Sequence, residues 1–405
     1  MLFNSFRILI AGTALFARSS FCCGPDPSSI VPPDYSNLIA ANNLARPNAT
    51  LVPKKIALDN VRVFDGTCIL PPSTVIIDGP LIGSDPTGAE HVDGRGGVLL
   101  PGFIDAHCHP SNITHMQDLA NWGVTSGFVM ACYAPELCSS LDNHPGLPSI
   151  LRSSAPASAP GSVHGNITAM INPSLLVNGT ADAPAWIKSQ HASLAPDYFK
   201  FVAETPGLDQ ETLNMLVKEA GGYGKQSVIH AADQKSFTQA ILSTAEHVHH
   251  APLDSVLPPA MIDVMLRNKQ ISTPTLTMMR AISLTSNRNF TAALDTTTLL
   301  HKAGVPILAG TDANLQPSVP AQVPFGISLH DELDNLVEAG MSNLETLLAA
   351  TVKPARAFGL HDRGVIQAGM RADLVLLGGD PLEDIRNTRD VKRVWIGGVE
   401  VHAQH

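Results

Sequence analysis

VLLPGFIDAHCHP, residues 98–110, is the most informative stretch of the chain. Its apolar residues predict a short buried strand, and His107 and His109 lie at the carboxyl end of that strand. Side chains alternate along a strand, so these two histidines point to one face and Cys108 to the other. Two imidazoles on one face can bind the same divalent metal ion. The stretch therefore predicts part of a metal site, with Cys108 as a small buried residue behind it.

Polar side chains also lie in or after later apolar runs. His230 ends the run SVIH, two adjacent histidines follow at 249 and 250, and Asp312 follows LAGT. Taken alone, His230 could be a structural histidine and Asp312 a helix N-cap. Lys200 lies within YFKFV, where a buried ammonium is costly unless its head reaches solvent at a sheet edge. These residues are further ligand candidates.

Strand-type and helix-type patterns alternate through the middle of the chain. Between residues 97 and 365, apolar runs alternate with helical patterns such as 209–220, 236–246 and 331–340. Such alternation over about 250 residues is typical of an α/β protein with a (β/α)8 TIM-like barrel, whose chemistry lies at the carboxyl ends of its strands. Every candidate ligand follows or ends such a strand.

The two ends of the chain have a different pattern. Residues 54–96 and 366–405 are short β-type runs separated by Gly, Asp and Pro, so we expect both ends to pair in one small β domain. Residues 25–53 are rich in Pro, Ser and Asn and predict an extended lead-in.

Six motifs, in this order, resemble the amidohydrolase superfamily, in particular its imidazolonepropionase-like and prolidase-like members. They are PGFIDAHCH (101–109), DYFKF (197–201), SVIHA (227–231), HHAPLD (249–254), GVPILAGTDA (304–313) and the tail DRGVIQAGMRADLVL (362–376). The resemblance covers residues 54–403. It implies that residues 97–365 form a metal-dependent hydrolase barrel and that the two chain ends form a β-sandwich.

The resemblance also implies a site for two divalent metal ions, with zinc favoured for a histidine-rich site. The implied ligands are His107, His109, Lys200, His230, His250 and Asp312. A CO2-derived carbamate on Lys200 would bridge the ions, and Asp312 would also be the catalytic proton shuttle for a metal-bridging hydroxide. We choose His250 because the family's histidine directly precedes Ala-Pro-Leu-Asp, and His249 is the alternative.

Three residues are candidates for substrate contacts. His164 stands where relatives carry a substrate-side histidine, while Tyr133 and Arg280 are expected on loops after strands two and seven. Tyr133 or Arg280 could bind a substrate carboxylate, Arg280 through paired hydrogen bonds. Either could equally be a solvated loop residue.

The reaction implied is hydrolysis of a C–N amide bond in a small molecule, either a non-peptide amide or a dipeptide-like compound. A lactone or ester hydrolase using the same site is an alternative, and so is a barrel that binds metal or ligand without turnover. The net charge of −10 argues against a nucleic-acid partner. A homo-oligomer is compatible with the sequence.

The N-terminus predicts export. Residues 1–24 have the pattern of a signal peptide, with Arg7 before an apolar run at 8–17, and no later stretch is apolar and long enough to span a bilayer. A local disulfide between Cys132 and Cys138 is compatible with an oxidising compartment. The Asn-x-Ser/Thr acceptor sites are Asn48, Asn112, Asn166, Asn178 and Asn289. We therefore expect a secreted glycoprotein, with Asn112 unmodified because it closely follows His109.

Overall fold

The computed structural model describes residues 34–45, 53–286, 288–316 and 319–401. The predicted signal peptide and Asn48 lie outside the described residues. Within these ranges, no helix is both long and apolar enough to cross a membrane.

Strands and helices follow one another along most of the described chain. The strands are β1 (Ile56–Phe64), β2 (Ile69–Asp78), β3 (Leu81–Gly83), β4 (Glu90–Asp93), β5 (Val98–Pro101), β6 (Phe103–Cys108), β7 (Val124–Val129), β8 (Ser149–Arg152), β9 (Tyr198–Val202), β10 (Gln226–His230), β11 (His247–His249), β12 (Ile271–Thr273), β13 (Leu374–Leu377), β14 (Val391–Ile396) and β15 (Val399–Val401). The helices are α1 (Tyr35–Leu44), α2 (Ile113–Asn121), α3 (Pro135–Ser140), α4 (Val163–Ile171), α5 (Ala183–Leu194), α6 (Gln210–Gly222), α7 (Gln234–Leu242), α8 (Pro259–Arg267), α9 (Leu276–Thr285), α10 (Phe290–Ala303), α11 (Ile327–Glu338), α12 (Asn343–Ala349) and α13 (Val352–Ala357).

The barrel is built from eight parallel segments. Strands β6 to β8 form one parallel sheet and β9 to β12 another. Parallel bridges close the ring, because Ser153 pairs with Tyr198 and the segment 307–313 pairs with β12 on one side and β6 on the other. The hydrogen bond from Ala106 N to Ala309 O, 3.0 Å, belongs to the last of these junctions. The predicted (β/α)8 barrel is confirmed.

The two chain ends join in one β domain, as the sequence predicts. Its sheet has the order β15-β14-β13-β5-β1-β2-β3, with β4 also paired to β1. The antiparallel pairing of β5 with β13 ties the N-terminal part to the C-terminal part. Hydrogen bonds join all eight strands in a single sheet, and residues as far apart along it as Ile77 and Trp395 share one buried cluster.

The run 98–110 divides into two strands, and this moves the predicted start of the barrel. Val98–Pro101 belongs to the end sheet, and the first barrel strand begins at Phe103. Gly102 lies between them, where a Cβ atom would come within 2.2 Å of the Thr125 side chain. The apolar pattern is continuous across both strands, so it does not reveal that the chain passes from one sheet to another.

The lead-in also differs from expectation, because residues 35–44 form helix α1 and not an extended segment. The side chain of Asp34 caps this helix by accepting a hydrogen bond from Asn37 N. Asn42 is buried, and its amide donates to Ser140 Oγ over 2.9 Å and accepts from Ile113 N over 3.2 Å. Tertiary hydrogen bonds that composition cannot reveal thus hold α1 against the barrel.

Candidate metal centre and substrate cavity

A cavity of about 1250 Å³, counting its open mouth, lies at the carboxyl ends of the barrel strands. All six predicted ligands line it, and so do two of the three predicted substrate residues. These eight residues are His107, His109, Tyr133, His164, Lys200, His230, His250 and Asp312. The barrel thus brings together side chains that are up to 205 positions apart in the sequence, because the parallel strands all end on one side.

The tightest cluster contains His107, His109 and Asp312. Asp312 Oδ1 lies 2.9 Å from His109 Nε2 and 3.4 Å from His107 Nε2, and the two imidazole nitrogens are 3.3 Å apart. One ligand atom from each residue lies within 4.8 Å of the other two. Two imidazoles and a carboxylate are a donor set that divalent transition metals accept. The chemistry of this cluster therefore fits a metal ion.

A second group adjoins the first. The His230 and His250 rings lie 4.4 Å apart between centroids, and the His250 ring lies 4.8 Å from that of His107. Lys200 lies on the neighbouring strand β9, is only 4% exposed and lines the same cavity. The residues proposed for the second ion and for the bridge are therefore adjacent to the first cluster.

His250 faces the cavity, and His249 contacts His107 from another side. Among the described residues, His250 lines the cavity and His249 does not. His249 Nδ1 lies 2.8 Å from His107 Nδ1, while His250 Nδ1 lies 2.9 Å from Thr275 Oγ1. A hydrogen bond to the second ring nitrogen orients a histidine ligand. This arrangement favours His250 as the ligand and His249 as a residue that orients His107.

The electrostatic setting keeps the buried imidazoles neutral. Burial, and then the positive charge of Lys200, holds the pKa of His107 and His250 well below the usual value. Burial also lowers the pKa of His230, followed by the effect of His250. A neutral imidazole has a free lone pair to donate, so these shifts suit metal binding.

Three residues at the centre have a strained backbone. His250, Thr275 and Asp312 have φ angles of 74°, 48° and 58°, in the left-handed region that non-glycine residues rarely adopt. The Asp312 backbone N–H donates to His107 O over 2.8 Å and so fixes Asp312 beside that histidine. At Gly310 a Cβ atom would lie 2.9 Å from His107 N, so only glycine lets the two segments approach so closely.

A buried carboxylate connects the first and eighth segments of the barrel. Asp105 accepts hydrogen bonds from His107 N over 3.1 Å, Thr311 N over 3.0 Å and Thr311 Oγ1 over 2.7 Å. Burial raises the pKa of Asp105 to about 7. Asp105 therefore holds the backbone of His107 and of Thr311, the residue before Asp312, a role that the sequence interpretation missed. Its position two residues before His107, on the same strand face, was the available signal.

Glu332 supports the turn that carries Thr275. Its carboxylate accepts hydrogen bonds from Leu276 N over 3.0 Å and from Thr277 N over 2.7 Å. Burial raises the pKa of Glu332 to about 8. Since Thr275 contacts His250, Glu332 positions that histidine from a distance. The sequence gives no sign of this contact, which joins α11 to the start of α9.

The three predicted substrate residues have different environments. His164 Nδ1 lies 3.0 Å from Glu204 Oε2, and its ring lies 4.4 Å from that of His230. Tyr133 lines the cavity, and burial raises the pKa of its phenol above the usual value. Arg280 is not brought to the cavity.

Arg280 instead lies within helix α9 and not on a loop. It pairs with Glu338, donates from Nε to Asn335 over 3.0 Å and lies 4.1 Å above the ring of Phe290. These contacts hold the guanidinium outside the set of residues that line the cavity. The position of Arg280 therefore gives no support to the expectation that it binds a substrate carboxylate.

The N-terminal helix and a disulfide loop complete the wall. Tyr35 of α1 lines the cavity, and burial raises the pKa of Tyr35 to about 12. Cys132 and Cys138 form the predicted disulfide, and Cys138 also lines the cavity. Sequence reasoning missed Tyr35, because its distance from the barrel motifs hides a contact that exists only in the folded chain.

Comparison with known proteins gives similarities of sequence and of fold. The profile of the amidohydrolase family matches residues 202–401. An imidazolonepropionase from Deinococcus deserti is 25% identical over 228 residues, which cover 54% of this chain and 52% of the relative. An adenine deaminase from Sinorhizobium fredii is 26% identical over 377 residues, covering 86% of this chain and 59% of the relative. The chain thus spans little more than half the length of these curated relatives.

A solved structure gives the same fold. The crystal structure of a Xaa-Pro dipeptidase with bound methionine superposes with a TM-score of 0.74 at 20% identity, and covers 86% of this chain and 100% of that one. At this identity the likeness concerns the fold alone. The family profile, the curated relatives and the ordered motifs lead to one conclusion: the chain belongs to the amidohydrolase superfamily.

Proposed function

We propose that the protein is a metal-dependent hydrolase that cleaves a C–N amide bond in a small molecule. The observation that carries the proposal is the convergence of His107, His109 and Asp312 beside His230 and His250, at the floor of one cavity. Side chains that only stabilise a barrel have no reason to gather several neutral imidazoles and a carboxylate around a space open to solvent.

The donor set supports two divalent ions, with zinc favoured. His107, His109 and Asp312 would hold one ion, and His230 with His250 the other. When bound, such ions polarise a carbonyl group and lower the pKa of a water molecule to about 7, which supplies a nucleophile at neutral pH. Neutral histidines and a carboxylate are suited to this task.

Asp312 is the residue that moves the proton. Its Oδ2 atom lies 3.7 Å from His250 Nδ1 and its carboxylate is 11% exposed, so it is reached from the cavity. It accepts a proton from the attacking water and returns that proton to the leaving nitrogen. Its strained backbone and the hydrogen bond to His107 O hold it in one orientation for both transfers.

Lys200 is proposed to act as a carbamate. The ammonium group first loses one proton, and the neutral amine then forms an N–C bond to CO2 and loses a second proton, which leaves an anionic carbamate. The surroundings support this, since a buried ammonium among neutral histidines is costly and a carbamate oxygen is a metal ligand. The bridging role is part of the same proposal.

Secretion is proposed as well. The Cys132–Cys138 disulfide supports an oxidising compartment, and the acceptor residues Asn178 and Asn289 are exposed. Asn112, in contrast, is only partly exposed and directly follows Ser111, which lines the cavity. A glycan is therefore expected at the exposed sites and not at Asn112.

Removal and return of metal tests the proposed activity. The purified protein is assayed against amides, dipeptides, lactones and esters before chelation, after chelation and after addition of Zn²⁺, Mn²⁺ or Co²⁺. We expect hydrolysis of at least one amide that disappears on chelation and returns with metal. Undiminished hydrolysis in the metal-free protein would contradict the proposal, and so would metal binding with no turnover of any compound. Turnover restricted to lactones or esters would contradict the choice of bond.

A further inference from the structure

The cavity has a polar floor and an apolar wall. The floor is the histidine and aspartate cluster described above. The wall residues of interest here are Leu137, Ile167, Ile171, Met278, Ile282 and Val319. Such a division is common in sites where a few polar groups act on one bond and the rest of the ligand is held by apolar contact. The chemistry of the wall residues therefore indicates which substituents the substrate carries beyond its scissile bond.

Among the described residues, the apolar wall offers no lysine or arginine for an anionic group. Of the described residues that line the cavity, Lys200 is the one lysine or arginine, and it lies in the floor among the proposed metal ligands. Arg280, expected to face the substrate, is engaged by Glu338 and Asn335. The nearest other basic group, His164, already has a carboxylate partner, because Glu204 accepts from both its ring and its backbone N–H.

The remaining polar groups of the wall are uncharged. They are the hydroxyl and amide groups of Ser111, Asn314 and Gln316 and the phenols of Tyr35 and Tyr133. Hydroxyl and amide groups can hydrogen-bond an amide or a carbonyl, but they do not offset the desolvation of a full negative charge.

We infer that the substrate is uncharged beyond its scissile bond, with apolar substituents, and that a free carboxylate there is selected against. This inference rests on the proposed function and names the class of amide that the site accepts. It departs from the expectation that Tyr133 or Arg280 binds a substrate carboxylate. The structural reason is that the guanidinium of Arg280, which was a candidate to bind that carboxylate, contacts Glu338 and Asn335 instead.

The test compares pairs of anilides that differ in one charge. The first pair is hexanoyl 4-carboxyanilide and hexanoyl 4-carbamoylanilide, which differ on the leaving-group side. The second pair is the monoanilide of adipic acid and its terminal carboxamide, which differ on the acyl side. We expect kcat/KM to be larger for the carboxamide of each pair by about ten-fold or more, the usual cost of an unpaired buried charge.

Binding affinities compare the carboxylate and the carboxamide of each pair without a contribution from the rate of hydrolysis. The four compounds are titrated by calorimetry into the metal-loaded Asp312→Asn protein, and the carboxamides should bind more tightly by a similar factor. Equal or tighter binding of either carboxylate would overturn the inference. If the wild-type protein turns over only the carboxylate members, the inference fails and the proposed hydrolase stands. If it turns over no amide at all, the proposed function itself fails and the inference with it.

A variant tests the wall directly. Gln316 is exposed at the mouth, so Gln316→Lys adds a cation to the wall without changing the core. The preference for the carboxamide should fall by about two- to five-fold, the worth of an exposed ion pair. Leu284→Lys, at a position 82% exposed on α9 and outside the lining set, adds the same charge elsewhere and should leave the preference unchanged. An unchanged preference in Gln316→Lys, with the fold intact by circular dichroism, would also contradict the inference.

Discussion

Asp312→Asn is expected to lower kcat by about 10²-fold or more, the usual contribution of a positioned general base. The amide keeps the size of the side chain and one oxygen donor, but it cannot accept a proton at neutral pH. Its metal content should fall much less than its turnover, because His107 and His109 remain beside it. Steady-state kinetics and elemental analysis on the same preparation measure both quantities.

The matched control is Asp85→Asn. Asp85 lies in the end domain with its side chain 66% exposed, so the same chemical change there should leave kcat and metal content at wild-type values. If Asp312→Asn retains near wild-type turnover with its metal intact, the proton is carried by another group, and the role given to Asp312 is wrong.

Lys200→Ala is expected to remove most of the metal and to abolish measurable turnover. Lys200 is buried on strand β9 and lines the same cavity as both histidine groups, so its removal would delete the proposed bridging ligand. A short-chain carboxylic acid such as propionate should occupy the vacated space and supply the missing oxygen ligands. We therefore expect it to restore part of the metal content and part of the turnover. Metal content and turnover, each measured with and without propionate, give the result.

Lys200→Arg separates the carbamate from the positive charge. A guanidinium stays protonated at neutral pH and has no free amine to add to CO2, so this variant should resemble Lys200→Ala. Lys188→Ala, at an exposed position on helix α5, is the control for loss of a lysine. An active Lys200→Arg protein with full metal content would reject the carbamate.

The architecture of the barrel was predictable because it depends on local pattern, and the residues of its polar floor followed from the motifs that resemble the amidohydrolase superfamily. Apolar runs that alternate with helical patterns define parallel strands, and a parallel barrel gathers the ends of its strands on one side. His107, His230 and Asp312 therefore come together in the fold although they are far apart in the sequence. The cluster follows from topology once the strands are identified.

Features that depend on tertiary contacts were not predictable in the same way. At the boundary between the two strands, the side chain of Thr125 leaves no room for a Cβ atom at Gly102. Helix α1 is held by hydrogen bonds from Asn42 to Ser111 O and to Ser140 Oγ at the end of α3. Arg280 is expected on a loop after strand seven, either at the substrate or in solvent, but it lies in helix α9 and pairs with Glu338. In each case the deciding partner is distant in the sequence and carries no motif.

The sequence pattern also does not decide which of the adjacent residues His249 and His250 faces the cavity. The histidines are adjacent, so periodicity places them on opposite faces without saying which face is the cavity. The backbone of His250 leaves the strand conformation at a φ of 74°, and this turn places its ring on the cavity side. A strained residue of this kind is not visible in a pattern of apolar and polar positions.

Metal analysis of the purified protein tests the central claim most directly. Elemental analysis after supplementation with divalent ions should find about two ions per chain in the wild-type protein, as expected for a two-metal hydrolytic site. The double variant His107→Ala/His109→Ala should lose at least one of them while keeping its circular dichroism spectrum. A folded wild-type protein that binds no divalent ion, or a double variant with undiminished metal content, would contradict the account.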